Sequence, residues 1–159
     1  MLEAKDLKLR IGNADDCRTI WEWRNSPDSR AVAWSTDPIP WEHHQKWYHV
    51  KLNDPNFVLY MVVSESIEAI GQISFQIDEE TAILNFVIDA NYRGLGLAST
   101  IIKLGCQELF STTSVKEVHA FVKAGNERSV KAFLRTNFFD CGNTNYQGHL
   151  AHKFMLNKI

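Results

Sequence analysis

Apolar and polar positions alternate with two different periods along the chain, and these periods predict its strands and helices. Period-two alternation or short apolar runs predict about seven strands, over residues 7–11, 57–65, 67–77, 82–88, 115–122, 138–141 and 150–156. Apolar residues three to four apart predict about four helices: one capped by Asn13 or Asp15 and ended by Asn25-Ser26-Pro27, then 41–52, 94–110 and 126–136. Residues 26–40 contain three prolines and predict a long surface loop. The order of elements, with a βαβ unit over 82–122, predicts an α/β chain that forms one domain over residues 1–159.

The composition of the 159 residues is that of an ordinary globular protein, with 45% apolar and 23% charged residues. The formal net charge of −2 provides no general attraction to nucleic acid or to an anionic membrane, so neither is an expected partner. The apolar runs are strand-sized and residues 1–10 lack the apolar stretch of a signal peptide, which predicts a cytoplasmic protein. Cys17, Cys106 and Cys141 lie far apart without the spacing of metal ligands, so we expect reduced thiols and no metal site.

The segment with the clearest chemistry is residues 91–98, Asn-Tyr-Arg-Gly-Leu-Gly-Leu-Ala, between a predicted strand and a predicted helix. Its glycines, Gly94 and Gly96, allow a ligand to approach the backbone closely. The unpaired amides and the positive dipole end of a helix start suit a pyrophosphate, and Arg93 adds charge at the rim. A plain strand-to-helix turn explains the same glycines. A dinucleotide-binding fold needs a third small residue at the close-packing position, which Ser99 meets poorly, and a βαβ unit near the N-terminus. A P-loop needs a Gly-Lys-Ser/Thr that the sequence lacks.

The spacing Arg93-Gly94-Leu95-Gly96-Leu97-Ala98 matches Arg/Gln-x-x-Gly-x-Gly/Ala, and in it the chain resembles the GNAT superfamily of acetyl-CoA-dependent N-acetyltransferases. A second segment, Asn126-Glu127-Arg128-Ser129 followed by Asn137-Phe138, is similar to the family's next helix, although glycine is usual where Asn137 stands. The resemblance covers nearly the whole chain. It implies an α+β fold with a mixed, mostly antiparallel central sheet, and acetyl-CoA as cosubstrate. It also implies the contacts of acetyl-CoA: the backbone of Phe86, Val87 and Ile88 along pantetheine, residues Arg93 to Ala98 at the pyrophosphate, and Asn126, Ser129 and Phe133.

Phe133 departs from the family pattern, because many members place there a tyrosine that protonates the departing thiolate. A thiol has a pKa of about 8.5, so its anion leaves readily near neutral pH and transfer does not require this acid. Water or an unidentified residue is the alternative proton source. Apart from the resemblance, the position of Asn126 directly before a predicted helix indicates a helix cap first and a cofactor ligand second. We expect direct transfer without a covalent enzyme intermediate, with the oxyanion held by a backbone amide near Val87 or Ile88.

The N-terminal third contains the candidate acceptor residues. On helical geometry Trp41, His44 and Tyr48 share one face of the helix over 41–52, so His44 lies in an aromatic stripe beside the proline-rich loop. A histidine there is either a satisfied core residue or, because imidazole titrates near neutral pH, the base that deprotonates the acceptor amine. Glu42 is the other candidate for the catalytic base. The alternative interpretation of Glu42 is a first-turn carboxylate that the helix dipole stabilises.

The segments Trp23-Arg24-Asn25 and His44-Gln45-Lys46-Trp47 resemble the GNAT branch that contains the nucleotide-amino-sugar N-acetyltransferases of pseudaminic-acid synthesis. That resemblance implies a small-molecule amine acceptor, a UDP-linked amino sugar, with Trp23, Arg24, Asn25 and Trp47 as its contacts. Three other functions stay open: N-terminal acetylation of ribosomal proteins, acyl-CoA binding without catalysis, and assembly through the aromatic stripe. The expected state is a monomer or a homodimer.

Overall fold

A seven-stranded sheet runs through the centre of the computed structural model, which describes residues 2–159. Its strands are β1 (Lys8–Ile11), β2 (Phe57–Val63), β3 (Gly71–Asp78), β4 (Thr81–Ile88), β5 (Glu117–Lys123), β6 (Phe139–Tyr146) and β7 (His149–Asn157). They lie in the order β1-β2-β3-β4-β5-β7-β6, and within this sheet only β4 and β5 pair in parallel. The expected α/β fold with a mixed, mostly antiparallel sheet is therefore confirmed.

Helices cover both faces of the sheet: α1 (Cys17–Asn25), α2 (Pro27–Val32), α3 (Trp41–Leu52), α4 (Ala98–Thr112) and α5 (Glu127–Leu134). Side chains of a strand alternate between its faces. Leu84 of β4 and Ala120 of β5 therefore point to the same side, where they share a core with α4 and α5. A second cluster around Met61 packs α1 and α3 on the opposite face. None of the helices within residues 2–159 is both long and apolar enough to cross a membrane.

Strands β4 and β5 pair over a short stretch and then diverge. Residues 81–83 lie opposite residues 117–119, and the last bridge of this pair joins Ile83 to His119. On its other edge β4 pairs with β3 over its whole length. A V-shaped gap therefore opens in the sheet beyond Ile83 and His119, and it widens toward the carboxyl ends of the two parallel strands. We call this opening the gap, and the bridge its closed end.

Residues 26–40 are not a loop throughout, as the prolines predict, because they contain helix α2. Ser26 caps this helix by accepting a hydrogen bond from the amide of Ser29 at 3.3 Å, and Pro27 occupies its first turn. Proline is compatible with that position, since the first amides of a helix lack partners in any case. The Asn25-Ser26-Pro27 signal thus ends α1 and begins α2.

Three other boundaries also differ from the predicted ones. Helix α4 begins at Ala98 rather than at residue 94, because the two preceding glycines have positive φ. Strand β3 begins at Gly71 rather than at residue 67, because the amide of Ser64 donates to the carbonyl of Ile67 and closes a turn. Strand β6 continues to Tyr146 rather than to residue 141, since its polar residues pair with β7 past an irregularity.

Candidate active site

The loop between β4 and α4 forms a cradle of backbone amides over residues 93–98. Gly94 and Gly96 have φ of 76° and 73°, and a Cβ at either position would meet no heavy atom within 4 Å. Both glycines are therefore required by backbone conformation and face open space. The amides of residues 96–100 donate to no carbonyl or side chain within residues 2–159. Because they lie at the N-terminus of a 15-residue helix, they suit an anion such as a pyrophosphate.

Strand β4 presents a free backbone edge to the gap. The amide of Asp89 donates to the carbonyl of Ile70, directly before β3, at 2.9 Å, and the carbonyl of Val87 lies against Gly71 of β3. Backbone groups alternate between the two edges of a strand, so the amides of Phe86 and Ile88 point into the gap and that of Val87 does not. An extended chain in the gap can pair with these amides as an added strand would. Of the two expected oxyanion donors, Ile88 fits this geometry and Val87 does not.

The other wall of the gap comes from β5 and α5. The side-chain oxygen of Asn126 accepts from the amide of Ser129 at 3.4 Å, so Asn126 caps α5. Phe133 is 2% exposed, and its ring packs edge-on against Phe86 at 6.0 Å and stacks on Phe154 at 5.0 Å. Position 133 therefore supplies a buried aromatic contact beneath the gap and no hydroxyl for a leaving thiolate.

Arg93 is folded back from the cradle onto neighbouring elements. Its Nε donates to the carbonyl of Ile88 at 3.0 Å, and its Nη1 forms an ion pair with Asp28 of α2 at 3.1 Å. These bonds tie α2 to the end of β4. The guanidinium charge is shared with Asp28, so the anion-binding character of the cradle comes mainly from its amides.

His44 is a core residue of the α1–α3 interface. It is 0% exposed; its Nδ1 accepts from Arg24 Nη1 at 3.1 Å and its Nε2 donates to the carbonyl of Cys17 at 2.8 Å. Burial lowers the pKa of His44, and the charge of Arg24 acts in the same direction, against the hydrogen bond to Cys17. With both nitrogens occupied, the neutral imidazole has no free lone pair for an amine. The structure therefore supports the core interpretation of His44 over the catalytic one.

Two of the predicted acceptor contacts hold the fold together instead. The indole N–H of Trp23 donates to the carboxylate of Asp89 at 2.8 Å, which joins α1 to the end of β4. The side chain of Asn25 accepts from the amide of Ile39 at 2.7 Å and donates to its carbonyl at 3.0 Å. Asn25 thereby fixes the chain between α2 and α3, and its polar atoms are used within the protein.

The other two, Arg24 and Trp47, pack against each other. The guanidinium carbon of Arg24 lies 4.2 Å from the centre of the Trp47 ring, and burial lowers the pKa of Arg24. Glu42 is exposed in the first turn of α3, where the helix dipole stabilises a carboxylate. The aromatic stripe is thus the packing surface between α1 and α3.

Sequence reasoning missed a polar and aromatic surface on the sheet face opposite α4 and α5, which we call the acceptor-side face. Phe121 of β5 stacks on Tyr146 of β6 at 4.0 Å, and Trp34 packs edge-on against Tyr146 at 5.0 Å. Lys153 Nζ lies 5.8 Å from the centre of the Phe121 ring, and Lys123 Nζ donates to the carbonyl of Ala33, next to Trp34, at 3.0 Å. We call Trp34, Phe121 and Tyr146 the aromatic cluster. In the sequence its signal is the alternation of Phe121 and Lys123 with buried apolar residues of β5.

The comparisons with known proteins agree with this geometry. Residues 6–138 match the acetyltransferase (GNAT) domain family. The spermidine N-acetyltransferase from Vibrio cholerae, solved with CoA and spermine, has a TM-score of 0.85 at 17% sequence identity, over 96% of each chain. AAC(6')-Ib, solved with ribostamycin and coenzyme A, has a TM-score of 0.84 at 15% identity, over 96% of this chain and 94% of that chain. No curated protein sequence matches this chain.

A sheet that opens beside a strand with free amides, next to a glycine-rich helix start, defines a site for an extended ligand that ends in a phosphate group. The chain belongs to the GNAT acetyltransferase domain family, whose match spans both the gap and the cradle. The protein is therefore an N-acetyltransferase that transfers an acetyl group from acetyl-CoA to an amine. The cradle and the free edge of β4 fit the pyrophosphate and the pantetheine arm of this cosubstrate.

Proposed function

We propose that the acceptor is the primary amine of a nucleotide-linked amino sugar, acetylated in the cytoplasm. The observation that carries the proposal is the aromatic cluster of Trp34, Phe121 and Tyr146 on the acceptor-side face. Flat aromatic rings bind nucleobases by stacking, which contributes about 1–3 kcal/mol per base. The cluster lies on β5 and β6, across the gap from β4, so a nucleotide held there can direct its sugar toward the gap.

The charges around the cluster suit a diphosphate. Lys123 of β5 and Lys153 of β7 lie on the acceptor-side face next to Phe121. Two lysines attract the phosphates of a nucleotide sugar and repel a polycation. The V. cholerae enzyme was solved with spermine and AAC(6')-Ib with an aminoglycoside, and both ligands are polycations that carboxylates would bind better. The lysines therefore favour an anionic acceptor for this chain.

The proposed reaction is direct transfer. The neutral amine attacks the thioester carbonyl, and an amide of β4 that points into the gap, at Phe86 or Ile88, donates to the developing oxyanion. The attacking nitrogen gives up one proton to water, and collapse then completes the amide bond, breaks the carbon–sulfur bond and releases the thiolate of CoA. Water protonates this thiolate, since Phe133 has no proton to give. Holding both reactants at the gap supplies much of the rate acceleration.

The acceptor is tested by supplying acetyl-CoA with separate amines and following thiol release. The panel contains UDP-linked amino sugars, the free amino sugars, spermidine, an aminoglycoside and an N-terminal ribosomal peptide. We expect a UDP-linked amino sugar to have a kcat/KM at least about 100-fold above that of the free sugar, because the nucleotide contacts are lost in the free sugar. Faster transfer to spermidine, the aminoglycoside or the peptide would overturn the proposal.

A pair of variants tests the aromatic cluster directly. Tyr146→Ala removes one face of the stack, and we expect it to raise the KM for the nucleotide-linked acceptor about tenfold while leaving the KM for acetyl-CoA unchanged. Leu150→Ala is the control, because Leu150 is an exposed side chain of the neighbouring strand β7 that points to the other face. An equal effect of both changes would remove the cluster from acceptor binding.

A further inference from the structure

Three polar side chains interrupt the apolar residues of β3 and β4. Asn85 of β4 is exposed, and the buried Ser74 lies directly opposite it on β3. Gln72 lies opposite Val87, and its buried Oε1 has no hydrogen-bond partner within residues 2–159. Asparagine is disfavoured in strands, and a buried polar atom without a partner costs free energy. A bound ligand would supply polar partners at this place in the sheet.

The alternation of side chains fixes the face on which Asn85 lies. Its neighbours along β4, Leu84 and Phe86, pack in the core that the sheet shares with α4 and α5. Successive side chains of a strand point to opposite faces, so Asn85 points to the acceptor-side face. Because Asn85 is also exposed, its side-chain amide is open to a ligand that approaches on this face.

Across the gap, Asn85 lies level with the aromatic cluster. The last bridge of the closed end joins Ile83 to His119. Two further residues along each of the parallel strands lead to Asn85 on β4 and to Phe121 on β5. Both side chains lie on the acceptor-side face, with the opened gap between them. An acceptor that stacks on Phe121 can therefore reach across the gap to Asn85.

Asn85 is also next to an amide that can hold the oxyanion. The amides of Phe86 and Ile88 point into the gap, and Ile88 is the nearer of the two to the cradle. An arm that starts at the cradle therefore passes Ile88 before its thioester reaches Phe86, about 7 Å further along the strand. The nitrogen of Phe86 is bonded to the carbonyl carbon of Asn85. A thioester oxygen held by this amide thus places the reacting carbon beside Asn85.

We propose that Asn85 binds and orients the acceptor amine. Its Oδ1 accepts one N–H of the neutral amine, which turns the nitrogen lone pair toward the thioester carbon. Asn85 takes up no proton. As the carbon–nitrogen bond forms, the amine proton goes to water, and the electron pair of the breaking carbon–sulfur bond leaves with the thiolate. An uncharged oxygen suits this role, because a carboxylate favours the ammonium form, which has no lone pair.

The inference rests on the direct transfer of the proposed function, with the oxyanion at Phe86, and not on which amine is acetylated. Its test uses the full chain, acetyl-CoA and the amine of the panel above that is acetylated fastest. We expect Asn85→Ala to lower kcat/KM for this amine about 30-fold. In isothermal titration of the CoA-saturated protein, the Kd of the amine should rise about fivefold or more. The Kd of CoA and the Tm should not change, because the replaced side chain is exposed.

Asn85→Asp separates binding of the amine from its orientation. This variant keeps an oxygen at the same place, so the amine should bind at least as tightly as it does to the wild type. Its kcat should nevertheless fall about tenfold or more, because the carboxylate holds the amine as ammonium. A purely structural role of Asn85 predicts no such split between Kd and kcat, and its absence would contradict the proposal.

Asn145→Ala is the matched control. Asn145 is also an exposed asparagine within a strand, but it lies on β6 opposite Leu150, on the other face of the sheet. We expect this variant to retain wild-type kcat/KM and amine affinity. Wild-type kcat/KM in Asn85→Ala, equal losses in Asn85→Ala and Asn145→Ala, or an equal loss of CoA and amine affinity in Asn85→Ala would overturn the proposal. A preferred amine that is not a nucleotide sugar would overturn only the acceptor assignment.

Discussion

The two regions to which we assign ligands are built from different parts of the polypeptide. The acetyl-CoA region uses backbone: the amides at the start of α4, two glycines with positive φ, and the free edge of β4. The proposed acceptor region uses side chains, and its aromatic cluster joins residues from the α2–α3 connection, β5 and β6. The first region depends on local conformation and the second on tertiary contacts. Substitutions that change backbone conformation should therefore impair the first region, and substitutions that remove side chains should impair the second.

A backbone site should be most sensitive at its glycines. Gly96→Val should weaken acetyl-CoA binding about 100-fold, equivalent to about 2.8 kcal/mol, because a branched residue resists a φ of 73° and its side chain fills the space that a phosphate needs. Isothermal titration with CoA measures the loss. Gly94→Val should behave in the same way.

The matched control for the cradle is Gly142→Val. Gly142 has a φ of 77° and equally open space around its Cβ position, but it lies in β6. This variant should share the backbone strain of Gly96→Val and keep the wild-type affinity for CoA. If Gly96→Val stays folded and binds CoA normally, the cradle is not the pyrophosphate site.

The α1–α3 interface should respond in stability rather than in catalysis. His44→Ala should lower the free energy of unfolding by about 2 kcal/mol, because it leaves a cavity and removes the hydrogen bonds to Arg24 and Cys17. Urea denaturation measures this change. His43→Ala, on the exposed side of α3, should change stability little. Unaltered stability with a collapse of kcat in His44→Ala would restore His44 as a catalytic residue.

The same histidine should make stability depend on pH. The pKa of His44 is lowered in the folded protein from its ordinary value of 6.5, so below pH 6.5 the unfolded chain takes up this proton first. The contribution of the neutral imidazole is complete above pH 6.5 and is lost as the pH falls toward the folded pKa, by at most about 1.4 kcal/mol per pH unit. The difference in unfolding free energy between wild type and His44→Gln should shrink over this range. A constant difference would contradict the assignment.

Much of the fold could be predicted because local signals and tertiary structure agree. The apolar strand before Gly94, the amphipathic α4 and the strand after it follow from periodicity alone, and the cradle follows from its glycines. Helix α2 was not predicted, because Ser26-Pro27 is read equally well as a stop or as a cap followed by a first-turn proline. Strand β6 was shortened because its polar residues have weak strand preference and pair only through β7.

The side chains predicted to contact the acceptor have partners within the protein that their spacing did not reveal. Trp23, Trp47 and His44 are the residue types that bind ligands, but they are equally good at packing two helices together. Spacing cannot tell whether a polar atom has a partner elsewhere in the chain, and in His44 both ring nitrogens do. Local spacing does not predict the aromatic cluster, because Trp34 and Tyr146 lie far apart in the sequence.

The smallest expected effect on activity concerns Phe133, where the two regions meet beneath the gap. Phe133→Tyr should change kcat less than about threefold, because the thiolate leaves readily without an acid and a phenol with a pKa of about 10 must be placed well to assist it. The ring is enclosed by Phe86, Phe138 and Phe154, so the new hydroxyl should instead lower stability by about 1 kcal/mol. Phe138→Tyr adds a phenol to the same cluster and should have a similar effect on stability and none on kcat. A rise in kcat of tenfold or more in Phe133→Tyr alone would show that protonation of the thiolate limits the wild-type enzyme, and water would then be a poor substitute for the missing acid.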